Sequence, residues 1–249
     1  MDATERVQFV VANAHRRGVD HGHDAAVSTP AVLPKGALLP VPGFPLPLRN
    51  ALADLAIAAL DADDARAALA WLAAPDDAPA PAAAARLVAA QLLDPGARSL
   101  LGVHAAYADA VRAHAARAAA ASASFHAADA APADSVDGAV QRAAALWNRR
   151  LFFEVHEVLE DVWQCTGGDE RQALQGVIQI AVAFHHLAHA NVRGARKLLV
   201  EGRERLAAHA RALPSLDVAG LLAATAYWET ALASGSAPTE APPGLALAP

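Results

Sequence analysis

A histidine and a glutamate one helical turn apart have the residue types and spacing that could do chemistry in this chain. His156 and Glu160 lie in the stretch Leu151–Trp163, where apolar residues recur with the period of an α-helix. Phe152, His156, Glu160 and Trp163 then share one edge of the helix, and the imidazole and carboxylate are half-buried between two aromatic rings. Desolvation raises the pKa of such a carboxylate unless a partner compensates, and an imidazole one turn away is a suitable partner.

The following helix contributes polar side chains that could meet this pair. It is predicted to begin after two consecutive glycines and to end near Ala190. Gln175, Gln179 and His186 share one edge of it, while His185 continues its apolar face. If the two helices pack antiparallel, imidazoles, a carboxylate and amides would lie within one small volume.

Three interpretations of this cluster remain open on the residues alone. The first is a divalent-metal site with His156 and Glu160 as ligands together with His185 and His186, since imidazole and carboxylate suit Zn, Mn, Fe or Ni and bundles hold metals between facing helices. The second is metal-free acid/base chemistry, with His156 and Glu160 as a proton-transfer pair. The third is a structural hydrogen bond that fixes the register of the two helices. The metalloprotease motif is excluded, because Glu160 stands where that motif has its second histidine.

The composition predicts an all-α fold. Hydrophobic residues make up 55% of the 249 residues, many of them alanine, which is the best helix former. Apolar and polar residues do not alternate over strand-length stretches. The fold class is therefore a C-terminal antiparallel bundle of about four helices, preceded by an Ala-rich helical region. Because aromatic residues are scarce, the places where they gather should mark the core.

The predicted organisation has four parts. These are a Pro-rich strap or flexible segment over residues 1–48, Ala-rich accessory helices over 49–130, a helical bundle over 136–235, and a flexible tail over 236–249. The bundle contains helix A from a cap at Ser135 to about Cys165, helix B from there to about Ala190, helix C up to Leu213 and helix D up to Gly235. Asn191, which tolerates the left-handed conformation, makes the turn between helices B and C.

Charge and patterning exclude several classes of function. A formal net charge of −6 argues against a nucleic-acid binder, which would display a basic face. No apolar run reaches the length of a membrane span, and the N-terminus does not have the pattern of a signal peptide. One cysteine, Cys165, excludes an intramolecular disulfide. We expect a cytoplasmic protein that is a possible homo-oligomer, with no nucleic-acid or membrane partner.

Several stretches together resemble the domain-of-unknown-function 309 (DUF309) family. They are Phe152–Trp163, Leu174–Gln179, His185-His186 and Asn191–Ala195, and the resemblance covers about residues 139–210. The family pattern is matched at Phe153, His156, Glu157, Glu160, Trp163, Gln175, Gly176, Gln179, Asn191 and Gly194, and the turn departs from it at Ala190, where a glycine is frequent. The resemblance implies a small helical fold and no particular reaction.

The resulting hypothesis is a small His/Glu/Gln pocket between helices A and B that binds a divalent metal or a small ligand. His156 and Glu160 would be its reactive groups. The further ligand-binding residues would be Phe152, Glu157, Trp163, Gln175, Gln179 and Asn191. The alternative is a non-catalytic interaction or self-association module in which the His–Glu pair is structural and an Ala-rich face meets a partner.

Overall fold

The structure, a computed structural model, describes residues 43–75, 77–96, 98–125, 129–235 and 240–248. Over these residues the chain forms nine α-helices, one two-stranded hairpin and two short 3-10 helices. The α-helices are α1 (Leu46–Ala58), α2 (Asp63–Ala73), α3 (Pro81–Ala89), α4 (Ala108–Ser124), α5 (Val136–Trp147), α6 (Phe152–Cys165), α7 (Gly168–Ala188), α8 (Val192–Ala208) and α9 (Val218–Ala233). The antiparallel hairpin joins β1 (Leu93–Asp94) and β2 (Ser99–Leu100). The predicted all-α class is confirmed.

Local sequence explains where several of these helices begin. The side chains of Ser135, Asn191 and Asp217 each accept a hydrogen bond from the backbone N–H three residues later, which satisfies a donor that the first turn of a helix leaves unpaired. Helices α1 and α3 instead have a proline in the first turn, where its missing N–H costs nothing. None of the helices in the described part of the chain is long and apolar enough to cross a membrane.

The predicted helix A is two helices rather than one. Helices α5 and α6 are separated by Asn148–Leu151, in which Arg150 takes a left-handed φ of 59° and the backbone N–H of Leu151 donates to the carbonyl of Leu146 at 3.1 Å. This is the hydrogen-bonding pattern that ends a helix with a left-handed residue. The break contains neither glycine nor proline, and the apolar periodicity of the sequence continues across it. The sequence pattern therefore predicted one helix where the structure has two.

Aromatic side chains gather in the core of the bundle, as expected from their scarcity. The ring of Phe184 on α7 lies 5.3 Å from Phe152, 5.6 Å from Trp147 and 5.2 Å from Trp228, at separations typical of favourable aromatic pairs. All four are buried. These rings fix α5, α6, α7 and α9 against one another and so position the polar edge of α6.

The N-terminal helices pack on the bundle within one compact unit of the described residues. Asp61 after α1 pairs with Arg142 on α5 at 2.8 Å, and the hydroxyl of Ser122 on α4 donates to the carbonyl of Ala59 at 2.6 Å. Of the strap expected over residues 1–48, residues 1–42 lie outside the described part of the chain, and Leu46 already begins α1.

Residues 240–248 lie against the bundle instead of extending from it as the expected flexible tail. Asn148 exchanges two hydrogen bonds with the backbone of Leu245, at 3.0 and 2.9 Å, and the indole N–H of Trp147 donates to the carbonyl of Pro243 at 2.7 Å. Leu247 pairs with Leu216 in an isolated antiparallel bridge. The Pro- and Ala-rich composition suggested mobility. Composition alone does not reveal hydrogen bonds to residues far away in the sequence, such as Trp147 and Asn148. We call residues 240–248 the C-terminal strap.

Helices α7 and α8 approach each other at two glycines. A Cβ on Gly176 would lie 2.8 Å from the backbone N of Leu206 and 2.9 Å from the carbonyl O of Gly202, so the crossing has no room for a side chain. We expect Gly176→Ala to lower the free energy of unfolding by about 1–3 kcal/mol through overpacking, measured by urea denaturation. In Gly102→Ala, the control, the added Cβ meets nothing within 4 Å. An equal loss in both variants would contradict this account of the crossing.

The turn between α7 and α8 is made by Ala190, which has a left-handed φ of 59°. Asn191, predicted to make this turn, instead caps α8 with its side chain. Because glycine adopts positive φ without the steric cost that alanine incurs, we expect Ala190→Gly to raise the free energy of unfolding by about 1 kcal/mol. Ala207→Gly, at an exposed position inside α8, should lower it by a similar amount. Urea denaturation of both variants should show changes of opposite sign in the free energy of unfolding.

Candidate functional site

His156 lies between two carboxylates of its own helix, α6. Its Nδ1 is 3.0 Å from Oε1 of Glu157, and its Nε2 is 3.1 Å from Oε2 of Glu160. One potential ligand atom from each of the three residues lies within 4.8 Å of the others. His156 is 5% exposed and Glu160 7% exposed, whereas the side chain of Glu157 is 29% exposed. We call these three residues the His/Glu cluster.

Electrostatics hold a proton on His156 in the metal-free protein. Burial lowers the pKa of an imidazole, but the carboxylates of Glu157 and Glu160 outweigh it and raise the pKa of His156 to about 9. The Nδ1–Glu157 contact has the geometry of a hydrogen bond. Nε2 lies 3.1 Å from Oε2 of Glu160 in an ion pair. A metal ion would coordinate His156 only after displacing a proton from the ring.

Helix α1, from the N-terminal region, covers one flank of the His/Glu cluster. The guanidinium carbon of Arg49 lies 4.2 Å from the centre of the Phe153 ring. Burial lowers the pKa of Arg49, while Glu157 and Glu154 oppose that change. One turn and a half later, burial and the charge of Glu157 raise the pKa of Asp54. The region predicted to form Ala-rich accessory helices thus places charged groups beside the cluster.

The two histidines predicted as further metal ligands lie apart from the cluster. The centre of the Phe153 ring lies 6.0 Å from the His156 ring and 5.7 Å from the His185 ring. Burial and the neighbouring His189 lower the pKa of His185 to about 3. His186 accepts a hydrogen bond from the amide of Asn191 at 3.1 Å. Among the described residues the group that could share one ion contains Glu157 in place of both histidines.

The predicted glutamines face a different helix. Gln179 bonds Glu201 at 3.4 Å and accepts from Arg205 at 3.1 Å, both on α8, and Gln175 is half-buried one turn earlier. Of the predicted His/Glu/Gln pocket, the structure therefore brings together the histidine and the glutamates but not the glutamines. The reason is that α7 turns its glutamine edge toward the crossing with α8 and not toward α6.

Phe152 and Trp163, the aromatic residues predicted to lie on either side of the site, contact different parts of the molecule. Phe152 is buried in the aromatic core. Trp163, at the end of α6, is stacked by the guanidinium of Arg171 at 3.7 Å, and its indole nitrogen is buried without a hydrogen-bond partner. Asn191 serves as a cap and as the partner of His186.

A second buried ion pair was missed by sequence reasoning. Helical periodicity places Glu154 on the side of α6 away from the apolar stripe, which predicts exposure, yet Glu154 is 3% exposed. Its Oε1 lies 3.2 Å from Nε2 of His114 on α4. Burial would raise the pKa of Glu154, but the charge and the hydrogen bond of His114 outweigh burial and lower it. No local signal marks this contact, because its partner is 40 residues away in the chain.

Comparison with known proteins finds similarity to one sequence family over the region that contains the His/Glu cluster. Residues 140–198 match the family described as Domain of unknown function (DUF309). The DUF309 resemblance of the sequence is confirmed over this range, which contains all three residues of the cluster. Arg49 and His114 lie outside it.

One curated relative of the chain is the "Uncharacterized protein YpuF" of Bacillus subtilis (strain 168). It is 37% identical over 70 residues, which are 28% of this chain and 40% of the relative. The chain thus spans less than half the length of that protein. No solved structure matches the chain significantly.

The protonation of His156 predicts how stability depends on pH. Its folded pKa of about 9 exceeds the ordinary value of 6.5, so its contribution is fully present below pH 6.5 and is lost as the pH rises through 9. Between these values we expect the metal-free protein to lose up to about 3 kcal/mol of unfolding free energy. His156→Gln should lack this component in urea denaturation at the two pH values. The same pH dependence in wild type and variant would assign it to other groups.

Proposed function

We propose that this protein binds a divalent transition-metal cation through His156, Glu157 and Glu160. The observation that carries the proposal is the convergence of one imidazole and two carboxylates within 4.8 Å, with both His156 and Glu160 buried. One imidazole nitrogen and two carboxylate oxygens suit Zn, Mn, Fe or Ni.

Three protein ligands leave coordination positions open on the ion. Structural zinc sites commonly close all four positions with protein groups, whereas sites that bind or activate a small molecule keep at least one open. The exposed part of Glu157 gives this site its access to solvent. The proposed ion therefore holds a water or a small ligand rather than only bracing the helix.

A second candidate is a structural ionic cluster in a non-catalytic module. It is supported by one specific observation: both nitrogens of His156 already contact a carboxylate without any ion. A protonated imidazole compensates the buried carboxylate of Glu160, and the remaining negative charge lies on the partly exposed Glu157. In this case the cluster serves folding, and function lies on another surface.

Metal analysis of protein purified without a histidine tag distinguishes the two candidates. We expect about one equivalent of a transition metal by elemental analysis, and Zn²⁺ or Mn²⁺ binding by calorimetry that weakens about 100-fold or more in His156→Gln and Glu160→Gln. The matched control is His209→Gln, which removes an exposed histidine 3.1 Å from a carboxylate and should leave binding unchanged.

The opposite result would support the structural cluster. It consists of no bound metal, no calorimetric response, and a loss of about 2 kcal/mol or more of unfolding free energy in Glu160→Gln. Urea denaturation of the metal-free protein gives that value.

A further inference from the structure

Charged side chains of both signs lie close together in this part of the molecule. The His/Glu cluster and Asp54, whose pKa responds to Glu157, form an acidic group. Arg49, Arg117 and His114 interact electrostatically with the buried Glu154, and Arg49 interacts with Glu157 as well. The proposed cation site therefore directly adjoins a basic region that is built largely by the N-terminal helices.

Arg49 occupies the boundary between the two regions. Its guanidinium carbon is 4.2 Å from the centre of the Phe153 ring, a distance typical of a cation–π contact, and the same ring is 6.0 Å from the imidazole of His156. Its Nε is buried and has no hydrogen-bond partner. The Phe153 ring thus holds the guanidinium of Arg49 beside the His/Glu cluster, and Nε of Arg49 has no hydrogen-bond acceptor.

The basic region has more donors than its buried carboxylate can satisfy. Nε of Arg117 and Nε2 of His114 are also buried without a hydrogen-bond partner, although the latter is 3.2 Å from Glu154. Glu154 therefore has two guanidinium groups within electrostatic reach, and His185, with a pKa of about 3, is uncharged at neutral pH. Buried donors without acceptors are costly, and an anion entering beside Arg49 would relieve part of that cost.

We infer that the ligand of the proposed metal site is a small oxyanion, a carboxylate or a phosphate, bound between the metal ion and Arg49. This inference rests on the proposed metal binding. A guanidinium binds either group through paired N–H donors, and an oxygen of the same anion fills a coordination position that the three protein ligands leave open. Arg49 is then the residue that selects an anionic ligand, and the N-terminal region supplies it.

The test uses the full chain loaded with Co²⁺, whose visible absorption reports on its coordination. Acetate and inorganic phosphate are titrated separately into the Co²⁺-loaded protein, and the anion that binds more tightly identifies the class. We expect either anion to change the spectrum saturably. Arg49→Gln should keep its Co²⁺ affinity within about twofold and weaken anion binding about tenfold or more. Arg49→Lys, which keeps the charge but not the planar donor pair, should weaken it less.

The matched control is Arg112→Gln, since Arg112 is a half-exposed arginine on α4 paired with Asp109 at 2.7 Å. It should leave both affinities unchanged. Unchanged anion affinity in Arg49→Gln, or no spectral response of the wild type to either anion, would overturn the inference while the metal site stands. Failure of the wild type to bind Co²⁺ would instead reject the proposed function. Circular dichroism confirms that each variant is folded, and Arg49→Lys provides the comparison if Arg49→Gln is not.

Discussion

The fold of this protein depends on compensating three ionisable groups that a single helix buries. Glu154, His156 and Glu160 on α6 are exposed by 3%, 5% and 7%, and a buried charge costs several kcal/mol unless a partner compensates it. His156 and Glu160 compensate each other within the helix. Glu154 cannot, and it obtains His114 from α4. The N-terminal helices therefore supply the group that compensates a buried carboxylate of α6, and they are not a separate accessory region.

Local patterns predicted the parts of this structure that local chemistry determines. The helical periodicity, the cap at Ser135 and the one-turn spacing of His156 and Glu160 depend on residues close in sequence, so the sequence was sufficient for them. Which edge of α7 would face α6 could not be read in this way. That choice follows from the close crossing of α7 and α8 at Gly176, which draws the glutamine edge toward α8.

The contacts that sequence reasoning missed are long-range or lack a local marker. Glu154 appears exposed on a helical projection because the projection contains only its own helix, whereas its burial comes from α4. The break at Arg150 has no glycine or proline, and its positive φ is a cost that the surrounding packing offsets. The segment that matches DUF309 includes Glu154 but not His114, so a description of that segment alone would leave a buried carboxylate without its partner.

The C-terminal strap gives the molecule a region that can open without the rest. Among the described residues, its hydrogen bonds connect it to two separate places, Trp147 and Asn148 at the end of α5 and the segment before α9. Small units with few bonds open by local fluctuation at a lower free energy than global unfolding. The amide protons of Leu245 and Ala248 should thus exchange with solvent deuterium at rates nearly independent of mild denaturant, while those of α7 follow global unfolding. The strap is in this sense a separate cooperative unit of the chain.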